Sequence, residues 1–310
     1  MKTAKAFSPA GISSFFQICD TKEDGTPLLD TDHIGARGGG FVIQKGVFTE
    51  VRLAEAKANS VSICINGKLT PEAETTKYVA QVLLDKSSKF FDVSIKHETA
   101  VPIGSGFGTS AAGALGAALA MSKALELNIT YNDLGRIAHA AEVRCKTGLG
   151  TVGPIMLGGC ILSVEPGAPG KSIIDRIPTT EDHIIIITGY YGPIPTKSGL
   201  SSPEKRATIN KWGKITLEKI LAEPSLDNFM NCCLDFAVQT GFMTERLQTL
   251  AKLARKAGAI GAAQNMVGEA IHVLATSENA DRVVQAFKQV LPQNSILTAK
   301  IDHSGARLIG

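Results

Sequence analysis

The sequence lacks the cysteine patterns of a zinc-binding or disulfide-bonded protein. Its six cysteines form no Cys-x-x-Cys pair and no Cys/His spacing typical of zinc. Two of them, Cys232 and Cys233, are adjacent and are expected to be core thiols. This use of cysteine fits a reducing compartment, and we therefore expect a cytoplasmic protein.

Basic clusters and long apolar runs are also absent. The net charge is only +3, and no stretch combines lysine and arginine with interleaved aromatic residues, so nucleic acid is not an expected partner. The longest apolar run stops at Lys123, which is too short to cross a bilayer. Near the N-terminus, Pro9 and Gly11 interrupt the apolar stretch. We expect neither a membrane partner nor a secretory signal.

The composition that remains is that of a globular protein with two domains. The 310 residues are 44% hydrophobic and 20% charged, which is enough to form sizeable cores. The segment Glu165 to Lys171 reads EPGAPGK and marks a composition shift. We therefore predict an N-terminal domain over residues 1–168 and a C-terminal domain over residues 169–310.

A glycine-rich loop followed by an alanine-rich helix is the most informative stretch, running from Val101 to Leu127 as VPIGSGFGTSAAGALGAALAMSKALEL. Glycines before a helix start let the backbone approach an anion such as phosphate. Thr109 and Ser110 can cap the helix or reach a phosphate-bound Mg²⁺. The alternative is a tight turn that caps a buried helix. Small residues at helical spacing predict very close packing of another element: Gly113, Gly116, Ala117 and Ala120.

Two familiar nucleotide motifs do not fit this loop. It lacks the Gly-Lys-Ser/Thr ending of a Walker P-loop. It overlaps a GxGxxG-like string, but the sixth position is Thr109 and no acidic ribose ligand follows.

A carboxylate lies at the edge of the next predicted helix, which extends from Thr130 to Cys145. Thr130 and Asp133 have the spacing of a capping box. Glu142 lies one turn after Ala138 on the apolar face, where a carboxylate is costly unless it is paired or binds a metal. Either a metal or a salt bridge to a lysine or arginine would satisfy it.

Other segments offer polar groups or predicted elements. Arg37 precedes three glycines and is either a solvated turn residue or a bidentate anion ligand. Ser13 and Ser14 precede Phe15 and could line a pocket or cap a helix. His272 alternates with apolar residues and is predicted to be structural. The remaining predictions are two strands around Lys45-Gly46, a loop over Lys146 to Gly159, a strand over His183 to Thr188, helices over Ser202 to Leu221, Ser225 to Gln239 and Thr244 to Ala257, and a closing strand over Ser295 to Ile301.

Three ordered motifs resemble those of the galactokinase, homoserine kinase, mevalonate kinase and phosphomevalonate kinase (GHMP) superfamily. PIGSGFGTSAA, from Pro102 to Ala112, is similar to its phosphate-loop motif, with Phe107 and Thr109 as mild departures. FSPAGISSFF and GAAQNMVGEAIHVL stand where the family has its N-terminal substrate motif and its C-terminal glycine motif. Together they span nearly the whole chain.

The resemblance implies an α+β fold in two domains, the first like domain 2 of ribosomal protein S5 and the second ferredoxin-like. The segments GARGGGF, AEVRCKTGLG and QNMVGEA are most similar to the archaeal branch that phosphorylates pantoate. That branch uses ATP and Mg²⁺ to make 4-phosphopantoate for coenzyme A synthesis. A homodimer stays open.

The resemblance also implies roles for single residues. Ser110 and Glu142 would be the Mg²⁺ ligands, and both would be catalytic. Ser13, Arg37 and Arg144 would contact pantoate, whose carboxylate calls for an arginine. The backbone of the loop would bind the nucleotide phosphates through Pro102, Gly104, Ser105, Gly106, Phe107, Gly108, Thr109, Ser110 and Ala111.

One position departs from the superfamily pattern. Many relatives carry an aspartate after Gly-x-Gly, proposed as a catalytic base, whereas this sequence has Thr151 at that catalytic position, in GLGTVGP. Phosphoryl transfer depends mainly on positioning and electrostatics, so activity without a base is expected. Two other functions stay open: a homoserine or mevalonate-pathway kinase, and a non-catalytic ligand sensor.

Overall fold

A computed structural model describes residues 2–179, 183–192 and 202–310. Within these ranges the strands form one eight-stranded and one four-stranded sheet, each with its own helices. This arrangement agrees with the predicted two-domain α+β class. The first group contains β1 (Lys2–Cys19), β2 (Gly35–Glu55), β3 (Ser60–Ile65), β4 (Lys68–Leu69), α1 (Glu74–Leu84), β5 (Phe91–Thr99), α2 (Thr109–Leu125), α3 (Tyr131–Cys145), α4 (Val152–Leu157), β6 (Cys160–Glu165) and β7 (Ile173–Ile177).

Two long strands, β1 and β2, form the centre of the large sheet. They pair antiparallel from Lys2 opposite Leu53 to Cys19 opposite Gly35. The register shifts where Pro9 pairs with Gly46 but Ala10 pairs with Ile43. The prediction of two strands around Lys45-Gly46 was therefore wrong, because a β-bulge there bends one continuous strand.

The alanine-rich helix α2 packs against β1 and β2, as its small residues predict. A β-carbon added to Gly116 would lie 3.2 Å from the β-carbon of Thr49 on β2. Thirteen of its residues are buried, so the helix forms the centre of the N-terminal core. This close packing fixes the position of its N-terminus, Thr109 and Ser110, relative to β1.

The second group has its sheet in the order β11–β8–β10–β9, with every pairing antiparallel. The predicted helices are confirmed, and Ser202, Ser225 and Thr244 cap three of them by accepting a backbone N–H. The elements are β8 (Ile184–Gly192), α5 (Pro203–Ala222), α6 (Leu226–Gln239), α7 (Glu245–Lys256), β9 (Gly261–Gln264), β10 (Glu269–Thr276), α8 (Ser277–Phe287) and β11 (Ile296–Lys300). The last strand of the chain, β12 (Arg307–Ile309), belongs to the eight-stranded sheet.

Several elements escaped prediction. The stretch from Lys146 to Gly159 contains the short helix α4, and the sheet gains β7 beyond residue 168. β12 follows β11 and returns to pair with β1, so Ser295 to Ile301 does not contain the last strand. The division at residue 168 stays a prediction. In the residues that the structure describes, no helix is long and apolar enough to span a membrane.

Candidate active site

The glycine-rich loop is anchored by buried side chains, although Ile103 near its start is exposed. Ser105 and Phe107 are almost fully buried, and the Phe107 ring meets Tyr190 of β8 edge-on at a centroid distance of 6.3 Å. Gly106 and Gly108 have φ values of +79° and +60°, a region that favours glycine. Because these residues anchor the loop, its backbone is positioned at the N-terminus of α2, where free N–H groups favour an anion.

Two neighbouring segments pack directly against this loop. A β-carbon on Gly108 would lie 2.7 Å from the Thr151 methyl group and 3.1 Å from the Gly11 carbonyl oxygen. One on Gly106 would lie 2.9 Å from the β-carbon of Asn265, in the turn between β9 and β10. The three motifs that are far apart in the sequence therefore meet at this loop.

Glu142 is a buried carboxylate next to the start of α2. It is 3% exposed, and its Oε1 accepts a hydrogen bond of 2.7 Å from the Thr147 hydroxyl. The Ser110 hydroxyl is also hydrogen-bonded to the carboxylate. Burial raises the pKa of Glu142, while these two hydrogen bonds oppose the rise. Over residues 2–179, 183–192 and 202–310, no lysine or arginine forms an ion pair with Glu142, so the salt-bridge alternative is not what the structure shows.

Thr151 lies at the start of α4, between the loop and β1. Its methyl group faces Gly108 and Gly11. Among the described residues, its hydroxyl has no hydrogen-bond partner. A threonine hydroxyl cannot serve as a general base at neutral pH, so this position supplies no carboxylate and no base.

The three predicted substrate contacts lie in different places. Ser13 is half-buried on β1, and its carbonyl accepts a hydrogen bond of 2.8 Å from the Met266 amide. Arg37 pairs with Glu165 at 2.8 Å and donates to the Val164 carbonyl. Arg144 lies over the Tyr78 ring of α1, 5.8 Å from its centre. Within the described ranges, no hydrogen bond joins either arginine to Glu142 or Thr151.

A small cavity, with room for about one water molecule, lies beside Gly150 and Pro154, and sequence analysis gave no sign of it. Its lining includes Ala36, Gly150 and Glu165, the last of which is the ion-pair partner of Arg37. His139 also lines it, and its Nε2 lies 2.9 Å from the Ile34 carbonyl oxygen. A carbonyl oxygen can only accept, so Nε2 carries the proton. Burial lowers the pKa of His139, which favours this neutral ring.

Similarity to known proteins agrees with this geometry. The family described as GHMP kinases N terminal domain matches residues 74–159, which include the loop and Glu142. The pantoate kinase of Methanocaldococcus jannaschii is 30% identical, over 93% of this chain and 98% of that protein. The pantoate kinase of Thermococcus kodakarensis is 31% identical, over 92% of each. The chain belongs to the GHMP kinases. It is therefore a small-molecule kinase that uses ATP.

A solved structure extends the likeness to the fold of the whole GHMP kinase chain. A phosphotransferase related to the coenzyme A biosynthesis pathway superposes with a TM-score of 0.88 and 28% identity, covering 99% of this chain and 98% of that one. The predicted α+β GHMP fold is confirmed.

One polar contact at this site was missed from the sequence. Thr147, which bonds Glu142, follows the C-cap residue Lys146, and its backbone N–H also donates to the Glu142 carbonyl at 3.0 Å. A hydroxyl five residues after a helical carboxylate, just past the helix end, was the available signal. The turn from Asn265 to Gly268 was noted as a motif, but its contact with the phosphate loop depends on how the two domains pack.

Proposed function

We propose that this GHMP kinase transfers the γ-phosphoryl group of ATP to the 4-hydroxyl of (R)-pantoate, as a step in coenzyme A synthesis. The observation that carries the chemistry is the buried Glu142 carboxylate, bonded to Ser110 at the glycine loop and without a cationic partner in the described residues. Similarity to pantoate kinases over more than nine-tenths of the chain supports the choice of substrate.

Magnesium fits the Ser110–Glu142 pair. A buried carboxylate with a raised pKa needs a positive charge, and a hydroxyl with a carboxylate is an oxygen set that Mg²⁺ accepts beside substrate phosphates. The described residues contain no cluster of three or more acidic, histidine or cysteine ligands. Phosphate oxygens and water would therefore complete the coordination. When bound, the ion neutralises charge on the phosphates.

The protein's own contribution is mainly positioning. The backbone N–H groups from Gly104 to Ala111, together with Pro102 before them, would hold the phosphates at the start of α2. As the pantoate oxygen bonds to the γ-phosphorus, the bond from phosphorus to the ADP oxygen breaks. The hydroxyl proton leaves late, to a phosphoryl oxygen or to water, because Thr151 offers no base. Thr151 then fills space between Gly108 and Gly11.

The pantoate carboxylate would bind at Arg37. Its pairing with Glu165 is half-exposed, and exposed ion pairs are weak enough to exchange partners. The small cavity that Glu165 lines has room for about one water molecule and not for pantoate, so the proposal for Arg37 rests on this exchangeable ion pair. Ser13 stays a proposed contact, because its hydroxyl has no hydrogen-bond partner within the part of the chain that the structure describes. Arg144, which lies over Tyr78, is the weakest of the three proposals.

The remaining proposals concern the setting of the enzyme. The six free cysteines support a reducing, cytoplasmic location. The proposed partners are pantoate and ATP, without nucleic acid or membrane. A homodimer stays an untested prediction.

A coupled ADP-release assay over pantoate, homoserine and mevalonate tests the proposal. We expect ADP release with pantoate at a kcat/KM far above that with the other two acids, and loss of that activity in Glu142→Gln. Faster turnover of homoserine or mevalonate would show that this compound, and not pantoate, is the substrate. Binding of ATP·Mg²⁺ without turnover of any of the three would instead favour a ligand sensor.

A further inference from the structure

Three fully buried polar side chains, joined by hydrogen bonds, connect β1 to the turn that supports the phosphate loop. The Ser14 hydroxyl lies 2.9 Å from His272 Nε2, and His272 Nδ1 lies 2.9 Å from Asn265 Oδ1. All three residues are 0% exposed. An amide oxygen can only accept, so Nδ1 carries the proton and Nε2 accepts from the Ser14 hydroxyl. With Asn265 Oδ1 facing the ring, both hydrogen bonds run from Ser14 toward Asn265, and Asn265 Nδ2 is buried without a partner among the described residues.

Local backbone geometry explains why Ser14 points at His272. In the β1–β2 ladder Ser13 pairs with Gly40 and Phe15 with Gly39, which leaves Ser14 as the extra residue of a β-bulge. A bulge re-aims the side chain it carries. The bulge therefore directs Ser14 out of the β1–β2 ladder and toward β10 of the second domain.

The Asn265 end of this hydrogen-bonded series packs against the phosphate loop. Asn265 begins the turn, and its backbone lies against Gly106, where a β-carbon would be 3.1 Å from the Asn265 carbonyl oxygen. Gly268 ends the turn, and a β-carbon there would lie 2.9 Å from the Gly106 nitrogen. The turn is thus in contact with the loop at both ends, and Met266 bonds to Ser13 between them.

We propose that Ser14, His272 and Asn265 are positioning residues that hold the turn from Asn265 to Gly268 against the phosphate loop and so set the loop's affinity for nucleotide. They touch neither the phosphates nor the transferred group. This inference rests on the proposed function only in assuming that the loop binds the phosphates of ATP. We name the three residues the Ser14–His272–Asn265 relay.

A neutral His272 suits this role. Burial lowers the pKa of His272 to about 3, so the ring stays uncharged through the working pH range and keeps one donor and one acceptor. Phe41 lies edge-on to the ring at 5.8 Å and helps fix its plane. A rigid, directional link of this kind transmits position better than an apolar contact of equal size.

Two substitutions of His272 distinguish loss of the hydrogen bond to Asn265 from loss of the packing of the imidazole ring. An asparagine amide can reach the position of ring Nδ1 and keep the bond to Asn265. A glutamine amide reaches the position of Nε2 and keeps the bond to Ser14 instead. Both remove the ring, so both should lower the melting temperature. We expect His272→Gln to weaken binding of a non-hydrolysable ATP analogue with Mg²⁺ by about tenfold, and His272→Asn by about threefold or less, since small misplacements of a site are expensive.

The other buried histidine of the same kind provides the matched control. His97 Nδ1 bonds Thr49 at 2.9 Å and Nε2 bonds Thr76 at 3.0 Å, all within the N-terminal core. His97→Gln and His97→Asn should destabilise the protein while leaving calorimetric affinity for the analogue unchanged. The KM for ATP should rise more than the KM for pantoate in His272→Gln.

Equal weakening by the two His272 variants, or a matching loss in the His97 variants, would overturn the relay. If His272→Gln does not fold, Asn265→Ala takes its place, because it removes the amide and keeps the backbone bonds of the turn; unchanged affinity there would also overturn it. Wild-type protein that binds the analogue but phosphorylates no hydroxy acid would contradict the proposed function and leave this comparison intact.

Discussion

Two buried titratable groups lie one helical turn apart along α2 and differ in how their polar atoms are satisfied. His97 lies near Gly113, and both its ring nitrogens bond threonine hydroxyls. Glu142 lies at Ser110, where hydroxyl groups satisfy its hydrogen bonds but no cation of the described residues balances its charge. Burial lowers the pKa of His97 to about 4, so its ring is neutral at pH 7, and burial raises the pKa of Glu142, which makes the charged carboxylate costly.

We infer from this difference that His97 is structural and that Glu142 is a candidate functional group. A neutral imidazole with two partners costs the folded state little, and nothing further needs to bind. A buried carboxylate without a counter-charge destabilises the free protein. A group that destabilises the fold in this way is a candidate functional site.

The largest effect is expected for Glu142→Gln. A neutral amide is a poor Mg²⁺ ligand, so single-turnover phosphorylation at saturating substrates should fall by about 10²–10³-fold. Circular dichroism and thermal unfolding serve as controls for folding. Turnover near the wild-type rate in a folded variant would make Glu142 a structural residue.

The same variant has a predicted signature in stability. Because the pKa of Glu142 is raised in the folded state above 4.5, the folded protein holds this proton more tightly than the unfolded chain. Stability of the free wild-type protein therefore falls as pH rises from 4.5 through the raised pKa. Glutamine removes this loss, so Glu142→Gln without ligands should melt higher than wild type at pH 7. A lower melting temperature would contradict the uncompensated charge.

Gly108→Val is expected to have the second largest effect. The β-carbon would lie 2.7 Å from Thr151 Cγ2, and φ is +60°, which a β-branched residue rarely adopts. Calorimetric affinity for the ATP analogue should fall by about 10²-fold through displacement of the loop. Gly25→Val is the matched control, because Gly25 also has a positive φ but open space around it. If a folded Gly108→Val variant binds the ATP analogue as tightly as wild type does, the phosphate-loop assignment is wrong.

Thr151→Ala should cost less than about tenfold in single-turnover rate, well short of the roughly 10²–10⁴-fold expected for loss of a general base. Thr151→Val keeps the methyl group that faces Gly108 and removes the hydroxyl, so it should behave similarly. A thousandfold loss with both substrates still bound would show that the Thr151 hydroxyl takes part in the chemistry.

His97→Gln should leave turnover unchanged and alter only stability. The folded pKa of about 4 lies below the model-peptide value of 6.5, so the unfolded chain binds the proton first on acidification. Wild-type stability is fully present above pH 6.5 and falls as pH drops toward 4, by on the order of 3 kcal/mol for this group. The free energy of unfolding, measured in urea between pH 4 and 7, should depend less on pH in the variant than in wild type. An unchanged slope would contradict a neutral His97.

The sequence predicts most of the helices because caps and periodicity are local. The Thr130 N-cap of α3 is confirmed, since the Thr130 hydroxyl accepts a hydrogen bond from the Asp133 amide. The Asp133 carboxylate accepts from the Thr130 hydroxyl and not from its backbone N–H as in a full capping box. The prediction of two strands around Lys45-Gly46 was wrong. A bulge and a turn have the same local sequence pattern, and only the pairing with the neighbouring strand distinguishes them. β12 was missed because three residues carry too little pattern.

The site was predicted unevenly for a similar reason. Glu142 could be found from one face of one helix, and Ser110 from the loop that precedes another. For Arg37 the sequence left open a solvated turn residue or an anion ligand; in the structure it pairs with Glu165, a residue that is far along the chain and adjacent only in the sheet. The relay from Ser14 to Asn265 spans two domains, so no sequence window contains it.

The central claim is that Glu142 supplies the negative charge that a phosphate-bound magnesium ion requires. Calorimetric titration of ADP into wild type and Glu142→Gln, each with and without Mg²⁺, tests it most directly. The account predicts that Mg²⁺ tightens ADP binding to the wild-type protein and has little effect on the variant, while affinities without metal remain similar. An equal gain from Mg²⁺ in both proteins would contradict it.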